Sequence, residues 1–366
     1  MPASSLLSTP TRLGAIELNN RIVMAPLTRM RAIEGDVPNP LAQIYYSQRA
    51  GAGLVITEAT QISPLGKGYP ATPGIYSPEQ TQAWKEIVEA VHAKGGKIVA
   101  QLWHVGRISH SSLHPEQGLP VAPSAIAPAG KTFAADWQMH AFETPRAMTL
   151  EDIAALKNDF EHAARNAQAA GFDGIEIHAA NGYLLDQFLQ DHSNHRTDIY
   201  GGSIENRIRL LSEVLETVAK VFPYDRIGVR LSPYGTFNDM SDSDPVALFN
   251  AVIDKLNPCG LAYLHMIEPR STSAGGNDKV ESDAPITAAM FRKAFKGAFI
   301  SAGGFDRALG EQAIAEDTAD AIAYGRLYIS NPDLAERFAV NAPLTPYNRA
   351  TFYGGAEAGY TDYPSL

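Results

Sequence analysis

Short, apolar, β-branched runs alternate with longer amphipathic segments almost from end to end of the 366-residue chain. Runs near Arg21–Ala25, Leu54–Glu58, Lys97–Leu102 and Asp173–His178 read as strands. Four more follow near Arg226–Leu231, Ala262–Ile267, Ala298–Ala302 and Asp320–Tyr324. These runs are mostly apolar rather than strictly alternating, as strands buried on both faces should be. The count is eight.

The segments between them carry helix signals of their own. Ser77 is placed to cap a helix, with Pro78 at its first position and Gln80 three residues on. Trp84, Ile87, Val88 and Val91 then share one face, and Gly95 sits where the helix should stop. Thr149 and Asp152 form a similar start, followed by Ile153, Leu156 and Phe160 and ended by Gly171. Ile208, Leu211, Leu215 and Val218 repeat the pattern, and later helices should begin near Pro245, Pro285, Asp306 and Asn331.

Eight strand–helix units predict an α/β fold, a (β/α)8 TIM barrel formed as a single domain over residues 1–366. A doubly wound sheet is the alternative, but no Gly-x-Gly-x-x-Gly follows any of the strands. The stretch His104–Arg146 breaks the rhythm with five prolines, at 115, 120, 123, 128 and 145. It reads as an elaborated loop after strand 3, lying over the top of the barrel.

Composition narrows the possible roles. The chain is 45% hydrophobic and 19% charged, with a formal net charge of -10. That acidity disfavours contact with phosphate backbones, and no Lys/Arg cluster opposes it, so no nucleic-acid partner is expected. Cys259 is the lone cysteine, which rules out an intramolecular disulfide and reads as a half-buried structural thiol. No basic n-region leads into a long apolar run, and no apolar stretch approaches the roughly 20 residues that span a bilayer. A cytoplasmic monomer or homodimer without membrane contact is the expectation.

In such a barrel the chemistry sits at the C-terminal ends of the strands. Strand 1 delivers Pro26, Leu27, Thr28 and Arg29, and strand 2 delivers Glu58, Ala59 and Thr60. Strand 3 supplies Gln101, Trp103 and His104, and strand 5 supplies Arg230. Gly303 and Gly304 after strand 7, with Gly325 and Arg326 after strand 8, admit two readings. They form a phosphate cradle, or the glycines merely turn the chain while Arg326 pairs with a carboxylate; the barrel count favours phosphate.

Strand 4 ends in His178-Ala-Ala-Asn181-Gly-Tyr183. His178 and Asn181 can both donate to one oxygen, and Tyr183, with an ordinary pKa of about 10, can protonate a carbanion-like centre. His104, His110 and His114 sit on the elaborated loop without recognisable ligand spacing, so no metal is expected. The Ser- and Gly-rich segment Pro269–Asp283 matches no motif and reads as a polar loop above strand 6.

Several long motifs in the right order resemble the Old Yellow Enzyme family. They are Met24-Ala-Pro-Leu-Thr-Arg29, Ala100-Gln-Leu-Trp-His-Val-Gly-Arg107 and His178-Ala-Ala-Asn-Gly-Tyr-Leu-Leu-Asp-Gln-Phe188. Asn194-His-Arg-Thr-Asp-Ile-Tyr-Gly-Gly-Ser203, Tyr324-Gly-Arg326 and Thr351-Phe-Tyr-Gly-Gly355 extend the likeness over nearly the whole chain. It is similar above all to the bacterial N-ethylmaleimide reductase and xenobiotic reductase branch. Family members carry His or Asn as the second anion-binding residue, and here it is Asn181.

The resemblance implies tightly bound, non-covalent FMN across the barrel mouth. By position Pro26, Leu27, Thr28, Ala59 and Gln101 should contact the flavin ring, and Arg230 should lie by N1 and O2. Gly303, Gly304, Gly325 and Arg326 should hold the phosphate, with Phe352 and Tyr353 closing over the ring's apolar end. It implies a ping-pong ene-reductase, in which NADPH or NADH reduces the flavin and leaves before an α,β-unsaturated carbonyl, maleimide or nitro compound enters. His178 and Asn181 would hold its oxygen, Tyr183 would protonate Cα, and Tyr69 and Trp103 would line the substrate pocket.

Two rival readings fit these residues less well. A flavin barrel serving only as electron carrier or sensor has no use for a placed proton donor such as Tyr183. A sugar-phosphate aldolase or isomerase needs a Schiff-base lysine or a carboxylate base at a strand end. Glu58 and Glu268 are possible bases, but no lysine occupies a predicted strand end.

Overall fold

The computed structural model describes residues 5–271, 279–281 and 283–366. The eight expected strands are β1 (Ile22–Met24), β2 (Leu54–Ile56), β3 (Ile98–Trp103), β4 (Gly174–His178), β5 (Ile227–Leu231), β6 (Tyr263–Ile267), β7 (Phe299–Ala302) and β8 (Ala321–Tyr324). Each is parallel to its neighbours in chain order, and β8 pairs with β1 through Ala323 opposite Val23. The sheet closes. Because β2 ends at Ile56, Glu58 lies just past the strand rather than within it.

The helices are α1 (Leu41–Gln48), α2 (Pro78–His92), α3 (Leu150–Ala170), α4 (Leu184–Leu189), α5 (Ile204–Val218), α6 (Pro245–Leu256), α7 (Thr287–Phe291), α8 (Arg307–Ala315), α9 (Arg326–Ser330) and α10 (Leu334–Val340). Both expected capping boxes form, Ser77 with Gln80 on α2 and Thr149 with Asp152 on α3. Gly171 ends α3 in the left-handed conformation (φ 88°), where a β-carbon would be strained. The starts expected at Pro285 and Asn331 fall two to three residues later, at Thr287 and Leu334. Helices α1, α4 and α9 lie outside the periodicity pattern; at 8, 6 and 5 residues they are too short to set up a clear apolar stripe.

Two cores follow from the closed sheet. Ile22, Met24, Val55, Ile175, Ile177 and Val229 face outward, into the layer beneath the helices. Val23, Leu54, Ile56, Val99, Ile300 and Ala321 face inward. A hairpin of Thr11–Leu13 and Ile16–Leu18 plugs the barrel floor, adding Leu13, Ile16 and Leu18 to the inner cluster.

One expectation needs correcting. Strands β4, β5 and β6 do alternate: apolar Ile175, Ile177, Val229, Leu264 and Met266 point out, while Glu176, His178, Arg230 and His265 point in. The upper barrel interior is therefore polar on one side, and the site is built there.

The elaborated loop is ordered by its own strands. Val121–Ala122 pairs with Arg146–Ala147, and Lys131–Phe133 forms a hairpin with Met139–Ala141. Cys259 is half-buried in the short 3-10 turn that follows α6. No described helix is long and apolar enough to cross a membrane.

Candidate active site

A cavity of about 700 Å³ opens at the C-terminal ends of the strands, inside the roughly 300–1,000 Å³ range of small-molecule sites. Pro26, Leu27 and Thr28 beyond β1, Ala59 beyond β2 and Gln101 on β3 border it. So do Trp103, His178, Asn181, Tyr183 and Arg230. Gly303, Gly304, Gly325 and Arg326 form the wall at β7 and β8, while Tyr69, Phe352 and Tyr353 border the upper part. Every residue singled out from the sequence as catalytic, cofactor-binding or substrate-binding thus faces one space.

His178 is buried and neutral, because burial, and then the charge of Arg230, hold its pKa well below the ordinary value. Its Nδ1 accepts the amide proton of Ala180 at 3.3 Å, which leaves the ring proton on Nε2. A neutral Nε2–H can donate to a substrate oxygen without itself titrating.

Asn181 follows in the left-handed conformation (φ 56°). Its backbone is gripped from both sides: the N–H donates to Ser232 Oγ at 2.7 Å, and the carbonyl accepts from Asn238 Nδ2 at 2.8 Å. Both partners come from the loop after β5. Gly182 N–H donates to the buried Asp186 carboxylate at 2.8 Å, so the turn from β4 into α4 is fixed at three successive points.

Tyr183 is buried at 8% exposure, and its hydroxyl lies 3.0 Å from that of Tyr69. The Trp103 ring meets it edge-on at 4.9 Å and stacks against Tyr69 at 5.9 Å. Burial pushes the Tyr183 hydroxyl up to about 12, against the pull of Tyr69 and Arg230.

A second layer of motif residues aims this turn. Gln187 on α4 donates to Val105 O (3.0 Å) and Gly182 O (2.8 Å) and accepts from Arg107 N (3.1 Å). Gly106 must be glycine here, since a β-carbon would sit 2.2 Å from Gln187 Oε1 at a φ of 63°. Arg107 reaches on to Asp239 O at 2.9 Å, tying the loop that carries Asn238 to the same frame. The long sequence motifs therefore hold supports as well as reactive groups.

Gln101 donates Nε2 to Glu176 Oε1 at 2.7 Å, and the buried Arg230 Nε has no protein partner. The C-terminal segment is strapped down by two arginines. Arg29 donates to Phe352 O and Gly359 O, and Arg31 to Thr351 O, Phe352 O, Ala356 O and Ala358 O. Phe352 is thereby buried against the cavity while Tyr353 remains 44% exposed.

Sequence reasoning missed several residues. Ser232, Asn238 and Asp186 lie in loops or a short helix without periodicity, and Thr132, Phe133, Met139 and Phe142 reach the cavity from the hairpin of the elaborated loop. Glu176 and His265 did leave a signal, the apolar–polar alternation within β4 and β6. The loop Pro269–Asp283 contributes Pro269, Ser271 and Val280 to the cavity, and its residues 272–278 and 282 lie outside the described residues.

The histidines of the elaborated loop take hydrogen-bonding roles. His104 accepts from Gly106 N, and His114 pairs with Ser109 Oγ and Gly118 O. No group of three metal-ligating side chains occurs among the described residues.

Comparison with known proteins bears on the same site. The family model described as NADH:flavin oxidoreductase / NADH oxidase matches residues 6–345. The chain is 48% identical over 363 residues to 12-oxophytodienoate reductase 1 of Oryza sativa subsp. japonica, covering 98% of this chain and 93% of that protein. It is 47% identical to 12-oxophytodienoate reductase 2 of Arabidopsis thaliana, over 98% and 96% of the two chains. Among solved structures, morphinone reductase in complex with tetrahydroNAD superposes with a TM-score of 0.91 at 46% identity, over 98% and 97% of the chains. The Old Yellow Enzyme homologue of Zymomonas mobilis gives 0.93 at 44% identity, over 98% and 99%. The chain belongs to the NADH:flavin oxidoreductase / NADH oxidase family, that of the Old Yellow Enzymes, and is a flavin-dependent oxidoreductase.

Proposed function

We propose that this protein is an FMN-dependent ene-reductase, which reduces the activated C=C bond of α,β-unsaturated carbonyls, maleimides or nitro compounds at the expense of NADPH or NADH. The observation that carries the reading is the convergence of His178, Asn181 and Tyr183 on one wall of a cavity whose floor holds Gln101 and Arg230. We place it in the cytoplasm, working as a single catalytic domain.

The residues fit FMN in kind. Arg230 offers a buried Nε–H without a partner, and Gln101 offers an amide whose nitrogen is already engaged. Together with Thr28 they suit the carbonyl and N–H edge of a flavin ring, while Pro26, Leu27 and Ala59 give it an apolar bed. Gly303 and Gly304 in left-handed conformations bring backbone close to the cavity beside Gly325 and Arg326, as a terminal phosphate requires. Phe352 and Tyr353 cover the apolar end. When bound, FMN supplies the hydride chemistry, accepting from the nicotinamide and returning to the alkene.

The chain's own residues do the rest. His178 Nε2–H and the Asn181 amide hold the substrate's oxygen and stabilise the negative charge that builds on it. Tyr183, protonated across the physiological range, delivers its proton to Cα. Tyr69 and Trp103 pack beside Tyr183 and keep water from its hydroxyl, with Phe142 adding to the same apolar cluster.

An anaerobic absorbance spectrum tests this, recorded on the purified protein, after NADPH and then after 2-cyclohexenone. Oxidised-flavin bands that bleach with NADPH and return with the enone support cofactor, donor and reaction together. A colourless protein that FMN cannot reconstitute would overturn the reading.

A further inference from the structure

Resting on the FMN reading above, we infer that Glu176 is a positioning residue for the flavin's imide edge, fixing the amide orientation of Gln101 and countering the charge of Arg230. Glu176 does not border the cavity; it lies below the floor at 0% exposure. Its carboxylate accepts a hydrogen bond on each oxygen, from Gln101 Nε2 at 2.7 Å and from His265 Nδ1 at 2.8 Å.

Strand register makes this contact possible. Gln101 is the direct cross-strand partner of Glu176, and Arg230 stands between His178 and His265 in the next layer. His265 reaches Glu176 across the intervening β5, where residue 228 is glycine. A β-carbon there would fall 2.2 Å from the Tyr263 ring, so the missing side chain makes room for that ring in the barrel interior.

The chemistry follows from what a carboxylate cannot do. An ionised carboxylate only accepts, so it tolerates the Gln101 nitrogen and repels the Gln101 oxygen. Were the amide to flip, two oxygens would face each other in a buried site, and Nε2 would lose a charge-assisted hydrogen bond. With Nε2 turned down to Glu176, the oxygen is the group left for the cavity. Arg230, two strands away and lining the same cavity, adds an unpartnered donor Nε–H. An acceptor and a donor facing one cavity suit an imide edge, whose ring N–H adjoins a carbonyl oxygen.

Charge gives Glu176 a second effect. Burial favours its neutral form, but His265, Arg230 and Gln101 hold it below the usual carboxylate range, so it is ionised. His265, which burial keeps neutral, adds a dipole rather than a charge. Glu176 therefore offsets Arg230 and moderates the preference of the site for an electron-rich, reduced ring.

The test is Glu176→Gln in the holoenzyme, read by FMN release on dilution (flavin fluorescence) and by the midpoint potential of the bound flavin. Release of oxidised FMN should become at least tenfold more favourable, while the reduced form keeps its affinity. That tenfold change in relative affinity is equivalent to a rise of about 30 mV for a two-electron couple. Wild-type affinity and potential in the variant would overturn the role of Glu176 while leaving the flavin site intact. A wild-type protein that never binds FMN would instead remove the functional reading, and this inference with it.

Should Glu176→Gln not fold, the wild-type protein still decides. N3-methyl-FMN, which lacks the imide N–H, should displace FMN at least tenfold less effectively than FMN displaces itself. Equal displacement would show that no acceptor faces that edge and would overturn the inference.

Discussion

The hydroxyls of Tyr183 and Tyr69 are hydrogen-bonded at 3.0 Å, with Trp103 stacked on one ring and edge-on to the other. The two phenols belong to different strand-end loops, 114 residues apart in the chain. Their contact makes Tyr69 a direct hydrogen-bond partner of the proposed proton donor, and it lowers the pKa of Tyr183.

Replacing Tyr183 with Phe should slow the oxidative half-reaction by about a hundredfold or more, with flavin reduction by NADPH nearly unchanged. The pH profile carries the same assignment. The protonated phenol is the active form, and burial raises its pKa to about 12, so the wild-type oxidation rate should stay flat past pH 10. A tyrosine at its ordinary value would already be half ionised there. Stopped-flow oxidation by 2-cyclohexenone checks both. Equal loss in the two half-reactions, or a midpoint near pH 10, would remove Tyr183 from this role.

For Tyr69→Phe the effect should be smaller and in one direction. The hydrogen bond from Tyr69 lowers the Tyr183 pKa, so its loss leaves a weaker acid. One net hydrogen bond of about 1 kcal/mol corresponds to roughly fivefold in the oxidative rate. The alkaline limb should move still higher, and a faster variant would mean that Tyr69 competes for the proton instead of supporting its release.

His178→Ala combined with Asn181→Ala should weaken phenolic ligands, which place an oxygen where a substrate carbonyl would sit. Loss of two donors at about 1.5 kcal/mol or more each predicts a weakening of about a hundredfold or more. Titration of the flavin charge-transfer band with a phenol measures it. Unchanged affinity would relocate the anion site.

Much of this architecture was legible because strand–helix alternation and helix caps are local signals. Ser77 with Gln80, and Thr149 with Gly171, mark their helix ends by chemistry within a few residues. Strand ends then select the cavity wall by topology alone, which is why Gln101, His178 and Arg230 were found. Asn238 and Asp186 were not, since their roles are hydrogen bonds to a backbone whose course the sequence does not display. Glu176 and His265 differ from these. Ile175-Glu-Ile-His178 and Leu264-His-Met266 alternate visibly, and a polar residue at an inward barrel position carries a desolvation cost that asks for an explanation.

Arg31→Ala should loosen the C-terminal strap. The guanidinium holds four carbonyls between Thr351 and Ala358 within 3.2 Å, and its removal leaves them without that donor. With charged hydrogen bonds at about 1.5–3 kcal/mol each and strong overlap among them, we expect a loss of about 3 kcal/mol in urea denaturation. Proteolytic cleavage after Arg349 should accelerate, because Phe352 and Tyr353 depend on the strap. Wild-type stability with wild-type cleavage would show that Arg29 suffices alone.

Glu58 gives a pH dependence whose sign can be worked out. Its buried carboxyl accepts the backbone N–H of Arg29 at 3.0 Å, yet burial outweighs that bond and raises its pKa to about 7. Between its ordinary value of 4.5 and about 7 the native state holds a proton that the unfolded chain has released. Wild-type stability from this group therefore falls as pH rises through that window, by at most about 1.4 kcal/mol per pH unit. Glu58→Gln has no proton to lose there. Whatever its absolute stability, the variant should gain on the wild type from pH 5 to pH 7 and hold a constant difference from pH 8 upward. Urea denaturation at pH 5, 6, 7 and 8 reads the difference directly. Parallel curves would mean that Arg29 and Arg31 keep the carboxylate ionised throughout, and that their charges, not burial, decide its state.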